Sequence, residues 1–259
     1  MKPKISIITV NYNNLEGLKK TVDSIKNQTY NEFEYLVIDG ASTDGSAEFI
    51  ENNKNNFDYY ISEPDNGVYQ AMNKGIKAAN GEYLLFLNSG DHFFDNDVLK
   101  ENIQFLGDDN ITFFNLQVIE NNKTFIKEYP DTLSFSYFME DTLPHPATFI
   151  KREVFQKIGM YKEDFKIVSD WKFFLDAICK FNVSYKYVSK PLSTFYIGGM
   201  SSNPENRILK QSEKKEVLKD YTVYAQDLED VIAYRKTLNN LRSSRTIKLL
   251  VKLGLLNKF

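Results

Sequence analysis

Residues 84–94 read LLFLNSGDHFF. The apolar opening predicts a strand buried on both faces. The run then ends in an amide, a hydroxyl, a glycine and a carboxylate, at Asn88, Ser89, Gly90 and Asp91. A strand that hides from water and delivers polar groups at its carboxyl end fits a parallel sheet, because ligands of such sheets bind beyond the strand ends. The sequence upstream keeps the same rhythm. Ile5–Val10 is an apolar, β-branched strand, and Leu15–Lys26 a helix with Leu15, Leu18, Val22 and Ile25 on one face. Glu34–Ile38 is a second strand, followed by a helical stretch through Ile50. Tyr59–Ser62 is a short third strand, Gly67–Ala79 a helix, and Glu82–Leu87 the fourth strand. Alternation of this kind predicts a parallel sheet with helices on both faces.

Beyond Asp91 the rhythm changes. Ile111–Val118 and Thr124–Glu128 flank Asn121-Asn122 and read as a hairpin. Helices are expected from about Arg152 and about Asp170, strands over Tyr185–Val188 and Leu192–Ile197, and mostly helix from Pro204 onward. The chain has 259 residues, enough to bury a sizeable core, and a net charge of -3, which makes nucleic acid an unexpected partner. Cys179 is the single cysteine, so no internal disulfide can form and a reducing compartment is expected. Its spacing from Phe174, Leu175 and Ile178 predicts a packed core thiol. No secretion signal and no apolar run of membrane-spanning length is present, which predicts a cytoplasmic protein.

The turn after the first strand, NYNN, lacks glycine, so the G-x-G-x-x-G fingerprint of a dinucleotide dehydrogenase is missing, and no Walker A loop occurs. What is present, in order along 4–202, is ISIITVNYNN, VIDGASTDGS, EPDNGVYQAMNKGIKAANGEYLLFLNSGD, HPATFIKREVFQKIGMYKEDFKIVSDWKFFLDA and STFYIGGMSS. These phrases resemble the family 2 glycosyltransferases, inverting enzymes of the GT-A fold that use nucleotide sugars. AMNKGI, LNSGD and SDW are most similar to enzymes of bacterial capsule, O-antigen and exopolysaccharide synthesis.

The resemblance implies an α/β GT-A domain over residues 1–202, with a mostly parallel sheet flanked by helices and a helical C-terminal extension over 203–259. Within the domain, 1–95 would bind the nucleotide sugar and 96–202 the acceptor. A divalent cation, Mn2+ or Mg2+, would offset charge on the departing diphosphate, and a carboxylate would take the proton of the attacking hydroxyl. By resemblance Asp91 is the expected metal ligand, a helix cap near Asn96 or a plain turn being the other reading, and Asn88 and Ser89 are expected donor contacts. Asn88 and Gly90 stand where many relatives carry aspartates. Asp170 is the expected general base; a plain helix cap is the other reading. Asp39 would read the base or ribose; a turn carboxylate in DGAS is the other reading. Asn11, Tyr12 and Asn13 would meet the nucleotide; asparagines capping the following helix with no ligand are the other reading. Asp65 and Asn73 are further donor contacts, while Asp44 fits helix capping better.

Met72 stands where the family often has arginine, and Lys74, two residues on, is directed elsewhere on the helix. His145 and Trp171 are expected on the acceptor side, each with a structural reading beside it: a rigid turn for His145, the core for Trp171. His92 reads as a surface or packing residue. Ser201 or Ser202 of GGMSS could close over the diphosphate. From Val231 to Phe259 there are seven Lys or Arg and no acidic residue, interleaved with leucines. Such a segment could lie on an anionic membrane, suiting a lipid-linked acceptor, or pack on its own domain or a second subunit as a homodimer. Two other functions compete with transfer of sugar to a saccharide or lipid-linked acceptor: a sugar-nucleotide binding protein without turnover, and a nucleotidyltransferase. The latter requires a glycine-rich, basic first loop, and NYNN is neither.

Overall fold

The computed structural model describes residues 4–121, 123–199 and 203–256, with the side chains of 223–232 and 235 outside the description. The β-branched run ISIITVN forms β1 (Ile5–Asn11), buried along its whole length. Helix α1 (Leu15–Lys26) starts where the Asn14 side chain accepts from the Gly17 N–H, and it buries Leu18, Thr21, Val22 and Ile25. Next in the chain come β2 (Phe33–Asp39), α2 (Ser46–Asn52), β3 (Tyr59–Ser62), α3 (Val68–Ala78) and β4 (Tyr83–Phe86). Strands β3, β2, β1 and β4 lie side by side and parallel, as the alternating pattern predicts. Their register sets Asn11 beside Asp39 and Asp39 beside Ser62, so polar residues of three strands meet at one end.

The second half is mixed. It contains β5 (His92–Phe93), α4 (Val98–Asn102), β6 (Ile111–Glu120), β7 (Lys123–Lys127), α5 (Phe135–Glu140), β8 (Thr148–Lys151), α6 (Arg152–Ile158), α7 (Ser169–Leu175) and β9 (Tyr185–Tyr196). Among the described residues the sheet runs β3-β2-β1-β4-β8-β6-β9-β5, with β7 hairpinned onto β6. β8 is antiparallel to both β4 and β6, while β9 runs parallel to β6. Leu84, Leu85, Phe86 and Leu87 have no exposed surface, which places the core against the middle of this sheet. Each such side chain contributes roughly 1.5–3 kcal/mol.

The structure corrects three expectations. The two strands expected over 185–197 are one, with a register shift where Asn115 faces Pro191; proline cannot donate to the ladder, so the sequence looks interrupted while the strand continues. β8 occupies a segment expected only to lead into a helix. Cys179 is exposed rather than packed. The helix beyond α7 widens into a π-turn over Asp176–Lys180, where the Phe181 N–H bonds back to the Asp176 carbonyl. The extra residue per turn rotates position 179 off the apolar face while Phe174, Leu175 and Ile178 stay buried.

The chain divides into two compact units, Met1–Gln211 and Ser212–Phe259. Helix α8 (Arg207–Leu218) crosses the division, and α9 (Thr222–Ser243) and α10 (Arg245–Lys252) lie in the second unit. Among the described residues no helix is long and apolar enough to cross a membrane.

Candidate active site

The LNSGD turn is built by its neighbours. The Leu87 N–H bonds to the Ile8 carbonyl and the Ser89 N–H to the Val10 carbonyl, carrying the β4 backbone past the end of the strand. Gly90 sits at φ +106°, in the region that glycine enters without strain. Thr21, fully buried on α1, accepts from the Gly90 N–H at 3.0 Å, and its hydroxyl lies 2.7 Å from the Asp91 carbonyl. Asn14 adds a bond to the Ser89 carbonyl at 3.0 Å. Asp91 is thereby fixed by its backbone, while its half-buried carboxylate has no hydrogen-bond partner among the described residues. Burial pushes that carboxyl up from 3.8 to about 8. The Asn88 Oδ1 beside it is also buried without a partner.

Asp91 and Asp170 line one cleft of about 450 Å3, together with Asn14, Asn88, Ser89 and His145. Asp170 is the second residue of α7. Its Oδ1 accepts from the Tyr69 hydroxyl at 2.8 Å, and its other oxygen has no partner among the described residues. Burial raises the Tyr69 hydroxyl well above its ordinary range, and the adjacent Asp170 charge adds to this, so the phenol keeps its proton and donates. His145 is stacked on Phe86, ring centres 4.8 Å apart, with its Nε2 2.8 Å from the Tyr161 hydroxyl. Burial lowers its pKa below 6.5, against an opposing pull from Asp170, so it stays a neutral ring in the cleft wall.

A second cavity of about 740 Å3 adjoins the first and shares Val68, Tyr69, Asn88 and Lys166 with it. Asn11, Tyr12 and Asp65 line it. Tyr12 is 69% exposed, an aromatic face open to a ligand. Gly40 allows the Asp65 carboxylate and the Tyr12 ring to close in: a Cβ there would stand 2.8 Å from Asp65 Oδ2 and 3.1 Å from Tyr12 Cδ2.

Other residues singled out in the sequence line neither cavity. Asp39 has no exposed surface, and its carboxylate is fully engaged. Oδ1 accepts from Asn11 Nδ2 at 2.7 Å and Ser42 Oγ at 2.6 Å, and Oδ2 from the Ser42 N–H at 2.9 Å and Ser62 Oγ at 2.6 Å. It ties together the ends of β1, β2 and β3 and the turn at Ser42, the geometry of a turn carboxylate. Asn13, at φ +48°, bonds the 42–43 turn rather than a cavity. Asn73 is a buried bracket: Nδ2 donates to the Tyr161 carbonyl and to Glu163, and Oδ1 accepts from the Tyr161 N–H. Trp171, 3% exposed, donates to the Phe138 carbonyl at 2.6 Å and packs in the core instead of facing a sugar. Asp44 accepts from the N–H groups of Leu15 and Ser46, capping two helices. Lys74 pairs with Glu63 at 2.9 Å, away from the cleft. His92 lies within 3.2 Å of the Tyr196 hydroxyl. Met200, Ser201 and Ser202 lie outside the described residues.

Sequence reasoning missed Thr21, Tyr69 and Lys166. Tyr69 carried a signal, since it stands at the start of the helix that comes after Asp65, on the ligand side of the sheet. Among the described residues no group of three or more His, Cys, Asp or Glu could hold a metal by itself. The donors present are oxygens, the carboxylate of Asp91 and the unpartnered amide oxygen of Asn88, and they suit a hard cation that takes its other ligands from substrate and water.

Comparison with known proteins agrees with this architecture. An uncharacterised glycosyltransferase of Mycobacterium tuberculosis is 34% identical over 180 residues, covering 68% of this chain and 69% of the relative. A PGL/p-HBAD biosynthesis glycosyltransferase of Mycobacterium bovis is 27% identical over 208 residues, covering 77% and 80%. The crystal structure of S. aureus TarS 1–349 in complex with UDP superposes with a TM-score of 0.62 at 19% identity, over 75% of this chain and 61% of that one. The mannosyltransferase PcManGT of Pyrobaculum calidifontis, in complex with GDP-Man and Mn2+, gives 0.59 at 15% identity, over 78% and 59%. The chain therefore spans less than two thirds of these solved neighbours, which share its GT-A fold. The family model for glycosyl transferase family 2 matches residues 6–170, more than half of the sequence, and the chain belongs to that family.

Proposed function

We propose that this protein transfers a sugar from a nucleoside-diphosphate sugar to a hydroxyl of a saccharide or lipid-linked acceptor, with inversion at the anomeric carbon. The observation that carries the reading is the convergence of Asp91 and Asp170 on one cleft that opens into a second cavity. The larger cavity takes the nucleoside, against Tyr12 and Asp65. The smaller takes the sugar and the acceptor hydroxyl. Asp170 accepts the hydroxyl proton on the oxygen that Tyr69 leaves free, and Tyr69 fixes the rotamer of the carboxylate. A single base aimed at the acceptor implies one displacement and inverted product. Asp91 and Asn88 would hold a Mn2+ or Mg2+ ion, which supplies charge stabilisation for the departing diphosphate. PcManGT in complex with Mn2+ supports the metal, and TarS in complex with UDP and UDP-GlcNAc supports a nucleotide-sugar donor.

The mycobacterial relative named for PGL/p-HBAD biosynthesis supports a place in building a glycolipid or surface polysaccharide. A lipid-linked acceptor fits the basic tail, where Leu249, Leu253 and Leu255 are each more than half exposed. We propose contact of 231–259 with an anionic leaflet; co-sedimentation with vesicles of phosphatidylglycerol, and none with phosphatidylcholine, is the expected result. The activity itself is tested by screening nucleotide sugars for metal-dependent release of nucleoside diphosphate, in the wild type and in Asp91→Asn and Asp170→Asn. Loss of release in both variants supports the mechanism, and full activity in both refutes it. Donor binding without release in the wild type would indicate a binding protein instead.

A further inference from the structure

The two cavities are lined by carboxylates: Asp65 and Glu163 in the larger, Asp91 and Asp170 in the smaller. A nucleoside diphosphate is itself an anion, and its diphosphate has to cross the wall the cavities share. One ion held by Asp91 leaves the nucleoside side of that wall acidic. Met72, which lines the smaller cavity, is apolar and buried. Lys74 lines neither cavity, its ammonium lying against Glu63 and the Pro64 carbonyl. His145 is buried, with its pKa lowered, and so remains neutral.

Among the described residues, Lys166 is the single Lys or Arg lining either cavity, and it lines both. Its backbone is anchored by the next two residues, Ile167 and Val168, which are 5% and 1% exposed and lead directly into α7. The side chain itself is exposed. Val68 and Tyr69, which share this wall, open α3, whose Gly67 cap supplies no side-chain bond to the helix start. The favourable field of that helix end adds to the lysine. We propose that Lys166 binds the diphosphate of the donor at the junction of the two cavities, supplying from the loop before α7 a positive charge that no other described lining residue carries. This rests on the donor reading above.

The test uses the full-length protein and four probes, UDP, GDP, uridine and guanosine, titrated by calorimetry with Mn2+ and again in EDTA. A charge-assisted bond of this kind corresponds to roughly 10- to 100-fold in affinity. Lys166→Met is expected to weaken the preferred nucleoside diphosphate by that factor with or without metal, while the matching nucleoside stays within about twofold. Lys166→Arg retains most of the affinity, and Lys74→Met leaves it unchanged. Binding of the diphosphate by Lys166→Met within about twofold of the wild type overturns the assignment, as does an equal loss for the nucleoside, which would make Lys166 a shaper of the cavity. If the wild type binds none of the four probes, the donor reading itself fails and the assignment falls with it. If it binds the diphosphate and Lys166→Met binds equally well, the assignment alone fails.

Discussion

Replacing Asp91 by asparagine should make the metal-free protein more stable while removing its activity. The carboxylate is half-buried without a partner among the described residues, and burial moves it from 3.8 to about 8. In the unfolded chain the group ionises near 3.8, so between these values folding must take up a proton. Its contribution is therefore fully present below about pH 4, is lost progressively as pH rises to about 8, and is flat above that. The whole displacement corresponds to about 6 kcal/mol as a ceiling, at about 1.4 kcal/mol per pH step. Water reaching a half-buried group lowers this, and roughly 2–3 kcal/mol is the expected range. Urea unfolding of wild type and Asp91→Asn in EDTA, from pH 5 to 8.5, measures it. The difference between the two proteins should grow with pH in favour of the variant, because any packing effect of the amide is constant with pH. Mn2+ should then stabilise the wild type alone. A difference that does not vary with pH, or one that moves against the variant, would refute the reasoning.

Tyr69→Phe removes the donor to Asp170 without changing the cleft's shape, so kcat should fall about tenfold while the donor KM stays within about twofold, measured by steady-state kinetics. Asp39→Ala strands the Asn11, Ser42 and Ser62 donors in a dry site and should destabilise by about 3 kcal/mol in urea unfolding. Gly90→Asp would supply a second carboxylate, yet at φ +106° it should cost about 1–2 kcal/mol and lower activity rather than raise it. Cys179→Ser, at an exposed position, should leave stability within about 0.5 kcal/mol and turnover unchanged.

The first half of the fold was legible because each strand there is a short apolar run and each helix repeats its apolar residues at helical spacing; ISIITV, EYLVI and YLLF all became neighbouring parallel strands. The second half was less so. β8 is four residues long and is defined by its pairing with β4 and β6, a long-range property that no local pattern announces. Pro191 disguised a continuous strand, and the π-turn changed the phase on which the reading of Cys179 relied. In the site, Asp91 and Asp170 were expected from the family resemblance, and the structure brings both to one cleft. The turning inward of Asp39 was hidden, since it depends on Ser42 and Ser62 arriving from two other segments. Lys166 was hidden for the same reason: nothing in FKIVSDW says that its lysine faces a wall shared by two cavities.

The locked carboxylate of Asp39 has an evolutionary consequence. Four hydrogen bonds to Asp39, two from the ends of β1 and β3 and two from the turn at Ser42, weld a rigid bed beneath the larger cavity, so a ligand need not organise that surface when it arrives. A bed of this kind tolerates little variation, because each altered member leaves another stranded. If the larger cavity takes the donor as proposed, a change of donor preference is expected at the rim above the bed, at Tyr12 and residues 64–67, where a change alters what is gripped without loosening what grips.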